Sequence, residues 1–283
     1  MNYRHAFHAG NFADVFKHAI LTGLIESLKA KQTPFHYFDT HAGSGRYDLR
    51  GEQARKTGEH AAGVQRLLDA VRLPAALHIY LNLVRALNAG NAAHDIAVYP
   101  GSPLLAGMLM RDSDRATLCE LQAEEAAALK KLFAGDARMG VHQRDGYAAL
   151  DALLPPPERR GLVLIDPPFE AQEGEFDCIE SALTHALEKW PGGIYSIWYP
   201  IKLRQQSAPF LRSFARKKIP KVLCAELLLH PDNSALRLNG CGMVIVNPPW
   251  KFDRQLAELL PALREHLAQG RFGAQRVEWL TGE

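Results

Sequence analysis

The stretch Gly161-Leu-Val-Leu-Ile-Asp-Pro-Pro-Phe169 constrains this chain more than any other. Four apolar residues run straight into a carboxylate, two prolines and an aromatic ring. A short apolar run bounded by turn residues reads as a strand covered on both faces, as in the middle of a parallel sheet. The chain is therefore expected to be α/β. Pro167 and Pro168 fix their own φ, hold the preceding residue extended and carry no N–H. The carbonyls there can accept from a ligand, beside the Asp166 oxygens and the flat face of Phe169. That set suits a planar ring bearing an exocyclic amine: the amine donates while the ring stacks. Taken alone, the same residues equally describe a strand that stops at a Pro-Pro turn.

Earlier segments end in the same way. Phe35-His-Tyr-Phe-Asp39 reads as a strand running into Thr40-His-Ala-Gly-Ser-Gly45. Such a glycine loop lets backbone approach a nucleotide in a doubly wound fold. Ala116-Thr-Leu-Cys-Glu120 is a strand ending in an acid that can grip both ribose hydroxyls. In a simple nucleotide fold that acid lies about 20 residues after the loop; here the separation is about 75. Two helical stretches, around Glu59–Val71 and Ala75–Ala89, fill the gap with no strand between them. They predict a small helical subdomain inserted at about residues 50–97, over one edge of the main domain. Ser102-Pro103 reads as an N-cap with Pro at N1, opening a helix to about Arg111. Met139–Gln143 is a short strand closed by Arg144-Asp145-Gly146, where Asp145 suits either an adenine amine or a plain turn. Every candidate polar group thus sits at the carboxyl end of a strand, where parallel sheets bind ligands. The convergence describes a pocket for a nucleoside cofactor beside Asp166-Pro-Pro-Phe169.

Helices are expected at about 12–31, 122–134, 176–190, 202–218 and 253–268. Further strands are expected at 193–198, 222–229, 241–246 and near 276–280. The formal charge is +2, from 33 basic and 31 acidic residues, so any nucleic-acid contact must be a local patch. The best basic cluster is Lys202, Arg204, Arg212, Arg216, Lys217, Lys218 and Lys221, which suits either phosphate or a solvated helix face. No apolar run approaches the roughly 20 residues of a membrane span, and the N-terminus lacks an apolar signal core. Four cysteines stand far apart with no CxxC pair, so no zinc site and a reduced, cytoplasmic protein are expected. His5 and His8 offer a spacing of three, but no carboxylate ligand pattern follows. Residues 1–11 read as either a tail or an arm folded over a site. Asn247-Pro-Pro-Trp250 rivals residues 166–169; on an antiparallel strand its end points away from the cofactor edge, so it is expected to be structural.

Two other classes fit less well. A nicotinamide-dependent oxidoreductase would not explain Asp166-Pro-Pro-Phe169, and Arg46, Tyr47 and Asp48 leave G-x-G-x-x-G incomplete. A non-enzymatic RNA-binding protein would not need both Asp166 and the loop glycines.

With these motifs assembled, the sequence resembles the class I S-adenosylmethionine-dependent methyltransferases, among them the amino-group enzymes with a [DNS]-P-P-[FYW] motif. Tyr3-Arg-His-Ala-Phe-His-Ala-Gly-Asn11, Ala13-Asp-Val15, Lys17-His18, Asp39-Thr-His-Ala-Gly43, Tyr99-Pro-Gly-Ser-Pro103 and Ile165-Asp-Pro-Pro168 are similar to the RlmJ family. These are large-subunit ribosomal RNA adenine-N6 methyltransferases, and the resemblance covers the whole chain. It implies a single Rossmann-like domain over residues 1–283, with a mostly parallel seven-stranded sheet, one antiparallel strand and the inserted helices. It implies S-adenosylmethionine as cofactor, S-adenosylhomocysteine as product, no metal and no membrane. The implied partner is 23S ribosomal RNA, methylated at N6 of adenine 2030; the alternative is an adenine in DNA or another RNA. A monomer is expected. By matching positions, His18, His41, Gly43, Ser102, Glu120, Asp145, Gly146 and Asp166 would contact the cofactor, with Glu120 on the ribose and Asp145 on its adenine. Asp166 would be catalytic, with Pro167, Pro168 and Phe169 at the target adenine. Tyr3, His5 and Lys17 would handle the RNA, which makes the N-terminal arm a lid.

Overall fold

The structure is a computed structural model that describes residues 4–91, 95–169, 172–233 and 237–282. After a 3-10 turn at His5–Phe7 come α1 (Phe12–Lys29), β1 (His36–Asp39) and β2 (Arg46–Asp48). Four helices follow: α2 (Glu52–Thr57), α3 (Glu59–Ala62), α4 (Val64–Leu68) and α5 (Ala75–Leu87). The chain then forms β3 (Val98–Pro100), α6 (Ser102–Leu109), β4 (Arg115–Glu120), α7 (Ala123–Leu132) and β5 (Met139–Gln143). Next are α8 (Gly146–Leu153), β6 (Gly161–Ile165), α9 (Gln172–Lys189), β7 (Ile194–Ile201) and α10 (Arg204–Arg216). It closes with β8 (Val222–Leu228), β9 (Gly240–Val246), α11 (Phe252–Leu267) and β10 (Ala274–Thr281).

The main sheet has eight strands in the order β10-β8-β9-β7-β6-β1-β4-β5. β5, β4, β1, β6 and β7 pair in parallel. β9 runs antiparallel to both β7 and β8, and β10 antiparallel to β8. The expectation of seven strands with one antiparallel is therefore corrected to eight with two. The strand expected near 276–280 is β10, a half-exposed edge strand that adds to β8 with Ala274 opposite Leu228 and brings the count to eight. β1, β4, β5, β6, β7 and β8 consequently end on one edge.

β6 is buried along its whole length because side chains alternate between two cores. Leu162 and Leu164 join the core that contains α1, α6 and α11 residues, whereas Val163 and Ile165 join the core of α8, α9 and α10. α1 starts where the Asn11 side chain accepts from the N–H groups of Ala13 and Asp14, both at 3.0 Å. Val15, Phe16, Ile20, Leu21, Leu24 and Ile25 in α1 are all fully buried. Each such side chain contributes about 2 kcal/mol by leaving water. Burial nearly all round follows from the insertion: α5 and α11 pack against α1, and α4 and α5 against α11. Helices α4 and α5 of the insertion thus lie against α1 and α11, the helices that themselves pack on the main sheet.

The helix expected over Glu59–Val71 breaks into α3 and α4 at Gly63. A Cβ at Gly63 would lie 2.1 Å from the Gly10 carbonyl oxygen, and Val64 N–H donates to that oxygen at 2.9 Å. Close approach of the N-terminal arm dictates the break. The structure also starts α6 at Ser102, with Gly101 rather than Ser102 as its N-cap. The Ser102 hydroxyl is used elsewhere: it donates to Asp39 Oδ2 at 2.7 Å.

Candidate active site

The strand ends surround one cavity of about 1000 Å³. Its β1–β4–β5 side carries His41, Gly43, Ser102, Glu120, Asp145 and Gly146. Glu120 leaves β4 with Oε2 accepting from Gly43 N–H at 2.9 Å and Oε1 from Gln122 N–H at 2.7 Å. Burial pushes its carboxyl up. Gly43 has φ +59°, a conformation side chains resist, so the loop backbone can reach a ligand. Asp145 caps α8, accepting from Ala148 N–H at 2.8 Å. Gly146 must be small, because a Cβ there would lie 2.1 Å from the Thr40 carbonyl oxygen.

Asp39 lies beneath this loop, fully buried. Its Oδ2 accepts from Tyr37 and Ser102 hydroxyls, both at 2.7 Å, and its Oδ1 from His41 N–H at 3.2 Å. Burial lifts its carboxyl to about 6 against those hydrogen bonds. Burial lowers His41 to about 4 and His18 to about 3, so both imidazoles are neutral at pH 7. His18 Nδ1 bonds the Tyr99 hydroxyl at 2.8 Å. The His41 ring meets Tyr147 edge-on at 5.2 Å.

Across the cavity, Asp166, Pro167, Pro168 and Phe169 follow β6. Phe169 lies against Phe176 at 5.4 Å and against Trp198 at 5.8 Å between ring centroids. Lys17, on α1, reaches over with Nζ 2.5 Å from Asp166 Oδ2 and 3.0 Å from Asp14 Oδ1. Asp14 Oδ2 also meets His5 Nε2 at 2.9 Å and accepts from Gly10 N–H at 3.0 Å. Burial would raise the Asp14 carboxyl, but the charges of His5 and Lys17 and the His5 hydrogen bond outweigh it and hold it well below the usual range. The arm is pinned from the other side by Glu59, which bonds His8 at 3.0 Å and accepts from Asn11 Nδ2 at 2.9 Å. Arg4, His5 and His8 line the cavity, so the arm closes one wall of it. Tyr3 lies outside the described residues.

The family described as Ribosomal RNA large subunit methyltransferase D, RlmJ, matches residues 32–281. This chain belongs to that family. It is 41% identical over 283 residues, the whole of both chains, to Ribosomal RNA large subunit methyltransferase J of Escherichia coli (strain K12). The protein of the same name from Haemophilus influenzae is 40% identical, again over 100% of both chains. The crystal structure of protein LPL1258 from Legionella pneumophila superposes with a TM-score of 0.87 at 36% identity, covering 96% of this chain and 98% of that one. The fold is accordingly the Rossmann-like class I methyltransferase fold.

Other sequence candidates lie elsewhere in this RlmJ-family chain. Asn247 follows antiparallel β9 and so sits at the far edge of the sheet, its Nδ2 donating to the Pro191 and Gly193 carbonyls, both at 2.8 Å. The basic cluster does not form one patch. Arg204 pairs with buried Glu226 at 2.6 Å and with Asp232 at 3.2 Å. Lys217, at the other end of α10, pairs with Glu180 at 2.8 Å. Helix α10 separates the two ends by about 20 Å at 1.5 Å per residue, and of the cluster only Lys202 lines the cavity. The sequence reading missed Asp14, Tyr47, Trp198 and Arg237. For Asp14 a signal existed, since an acid inside the apolar α1 sequence needs a partner. Among the described residues no group of three His, Cys, Asp or Glu is placed to hold a metal, and no helix is long and apolar enough to cross a membrane.

Proposed function

We propose that this chain methylates the exocyclic N6 amine of an adenine in 23S ribosomal RNA, with S-adenosylmethionine as methyl donor. What carries the reading is that Asp166-Pro-Pro-Phe169 opens onto the same cavity as Gly43, Glu120, Asp145 and Gly146. The second group fits a nucleoside cofactor. Gly43 and Gly146 leave backbone bare, Glu120 offers carboxylate oxygen toward a ribose, and Asp145 offers one toward an adenine amine. His18, His41 and Ser102 complete its wall. When bound, the cofactor supplies an electrophilic methyl group on a sulfonium.

The chain's own residues supply the rest. An adenine amine is a weak nucleophile because its lone pair is delocalised into the ring. Asp166 Oδ1 and the Pro167 carbonyl accept its two N–H groups and favour a pyramidal nitrogen with a localised pair. Lys17 occupies Asp166 Oδ2 and fixes that carboxylate's orientation. Positioning of this kind can carry several kcal/mol of the barrier, about 7 or more in the best cases. The proton that the amine loses after methylation is accepted at Asp166 Oδ1. The adenine must leave its stack to enter, and Phe169 replaces the lost stacking. His5, Lys17 and Tyr3 take the RNA side, with residues 1–11 as a lid and the helices at about 50–97 as its support.

The test is methyl transfer from labelled S-adenosylmethionine to protein-free 23S ribosomal RNA, comparing the native chain with Asp166→Ala. Label recovered as N6-methyladenosine and lost in the variant is the expected result. Label that survives Asp166→Ala removes Asp166 from the chemistry, and label in any other nucleoside overturns the reading.

A further inference from the structure

The cavity does not end at the Pro-Pro turn. It continues outward along the sheet edge, lined by Trp198, Pro200, Lys202, His230, Arg237 and Leu238. Neighbouring strands stand about 4.8 Å apart, so the β7 exit and the β9 entry are roughly 5 and 10 Å from the β6 exit. That is where the nucleotide next to an inserted base would lie.

This outer wall is built around one buried residue, Asn239. Its backbone N–H donates to the Ile201 carbonyl at 3.0 Å, and its own carbonyl accepts from Leu229 and His230 N–H, both at 3.0 Å. Its Nδ2 donates to the Lys202 carbonyl at 2.6 Å, and its Oδ1 accepts from Arg237 Nε at 2.9 Å. A buried amide with its groups so engaged is costly to disturb and fixes whatever it holds. Here it holds three segments together: the β7 exit with Lys202, the β8 exit with His230 and the loop bearing Arg237.

Charge bookkeeping along this edge is uneven. Arg204 is matched by Glu226 and Asp232, and Arg276 by Glu226 and Glu278. Among the described residues neither Lys202 nor Arg237 makes an ion pair, although both line the cavity. Burial, and then the charge of Arg237, lowers His230, which therefore faces the same space as a neutral imidazole able to donate one hydrogen bond. Arg237, held at Nε by Asn239, and Lys202, whose backbone Asn239 holds, are two cations without a carboxylate partner among the described residues at the mouth of a cavity, and they match a dianionic stretch of backbone.

We propose that Lys202 and Arg237, set in place by Asn239, clamp the phosphodiester backbone of single-stranded RNA beside the target adenosine. This rests on the RNA-adenine reading above and extends it from the base to the strand. Such contacts fix register without reading sequence. The clamp would hold the flanking strand while the adenine turns into the pocket, so it belongs to RNA affinity and not to methyl transfer itself.

The experiment measures RNA binding by filter retention, and KM and kcat for methyl transfer, across a salt series with protein-free 23S ribosomal RNA. Native chain, Lys202→Gln, Arg237→Gln and the double variant are compared, with Lys218→Gln at the opposite sheet edge as control. Each clamp variant should raise KM for RNA several-fold and lower the slope of log K against log salt by about 0.7, the double variant by about 1.4. Affinity for S-adenosylmethionine, which reports an intact fold, and kcat should hold. An unchanged slope in the double variant overturns the clamp, as does an equal change in Lys218→Gln, which would mean diffuse attraction. Because binding is read without turnover, the clamp is decided even if no N6-methyladenosine forms, and that failure would count against the adenine reading alone.

Discussion

Lys17 Nζ lies 2.5 Å from Asp166 Oδ2 and binds Asp14 with the same ammonium, so one cation from α1 joins the exit of β6 to the N-terminal arm. Arm position and the orientation of Asp166 are thereby coupled. Lys17→Met keeps most of the aliphatic stem, removes the charge and leaves buried Asp14 beside an unanchored Asp166. A displacement of about 1 Å at a reacting centre costs on the order of 100-fold. The expected outcome is a loss of that order in kcat, read by single-turnover methyl transfer, with S-adenosylmethionine affinity changed far less. Equal losses in both would mean that Lys17 serves the cofactor wall instead.

Gly146→Ala tests the opposite wall. The added methyl would lie 2.1 Å from the Thr40 carbonyl oxygen and 2.7 Å from the Thr40 Cβ. Neither can move cheaply, since Thr40 N–H is bonded to the Leu164 carbonyl and its hydroxyl to the same group. The start of α8 must shift and carry Asp145 with it. We expect S-adenosylmethionine binding to weaken at least tenfold, about 1.4 kcal/mol, in a calorimetric titration. Binding at native strength would show that this wall is not where the cofactor sits.

Asn247→Ala is the control for the second Pro-Pro motif. Asn247 adopts φ 54° and donates twice to the turn before β7. Alanine loses both hydrogen bonds and resists that φ by roughly 1–2 kcal/mol. The variant should melt several degrees lower yet transfer methyl groups at the native rate under conditions where it is folded. A rate that collapses at unchanged stability would return Asn247 to the chemistry.

How much of this was readable beforehand depended on range. The run from Phe35 to Gly45 and the run from Gly161 to Phe169 were legible as buried strands ending in turns, because burial and turn signals are encoded within about eleven residues. Asp14 was passed over although an acid in an apolar helix is a signal, and its partner His5 becomes a neighbour only when the arm folds back. The insertion was readable as helical, but its breaks were not, because Gly63 answers to Gly10, 53 residues earlier. Ser102 looked like a cap because local rules favour it; a buried carboxylate 63 residues away claimed its hydroxyl. Lys202, Arg204 and Lys217 cluster in sequence but not in space, because a helix of 13 residues carries its ends to opposite edges of the sheet.

Stability against pH follows from the buried groups, with signs that partly cancel. His18 and His41 ionise at about 3 and about 4 in the fold, against 6.5 in an unfolded chain. The unfolded state therefore binds more protons below pH 6.5. Their contribution is complete above that value and is lost as pH falls toward 4 for His41 and 3 for His18. Asp39 acts the other way: with its carboxyl raised from 3.8 to about 6, its contribution is complete below 3.8 and is lost as pH rises through 6. Asp14, held low, loses its contribution only below 3.8. Between about pH 6 and 4 His18 and His41 outweigh Asp39 by about one proton, so these three groups by themselves lower stability by on the order of 1.4 kcal/mol per pH unit, a slope that the raised Glu120 carboxyl reduces. His36, lowered by burial against the pull of Glu158, adds to the same sign. Urea midpoints measured from pH 8 to 4 should be level down to about 6.5 and then decline. In His41→Gln one histidine opposes one carboxyl, and the decline between 6 and 4 should shrink markedly. A native chain whose midpoint stays level across that window would mean that these imidazoles reach water in the fold, and the neutral, buried wall described around His18 and His41 would be wrong.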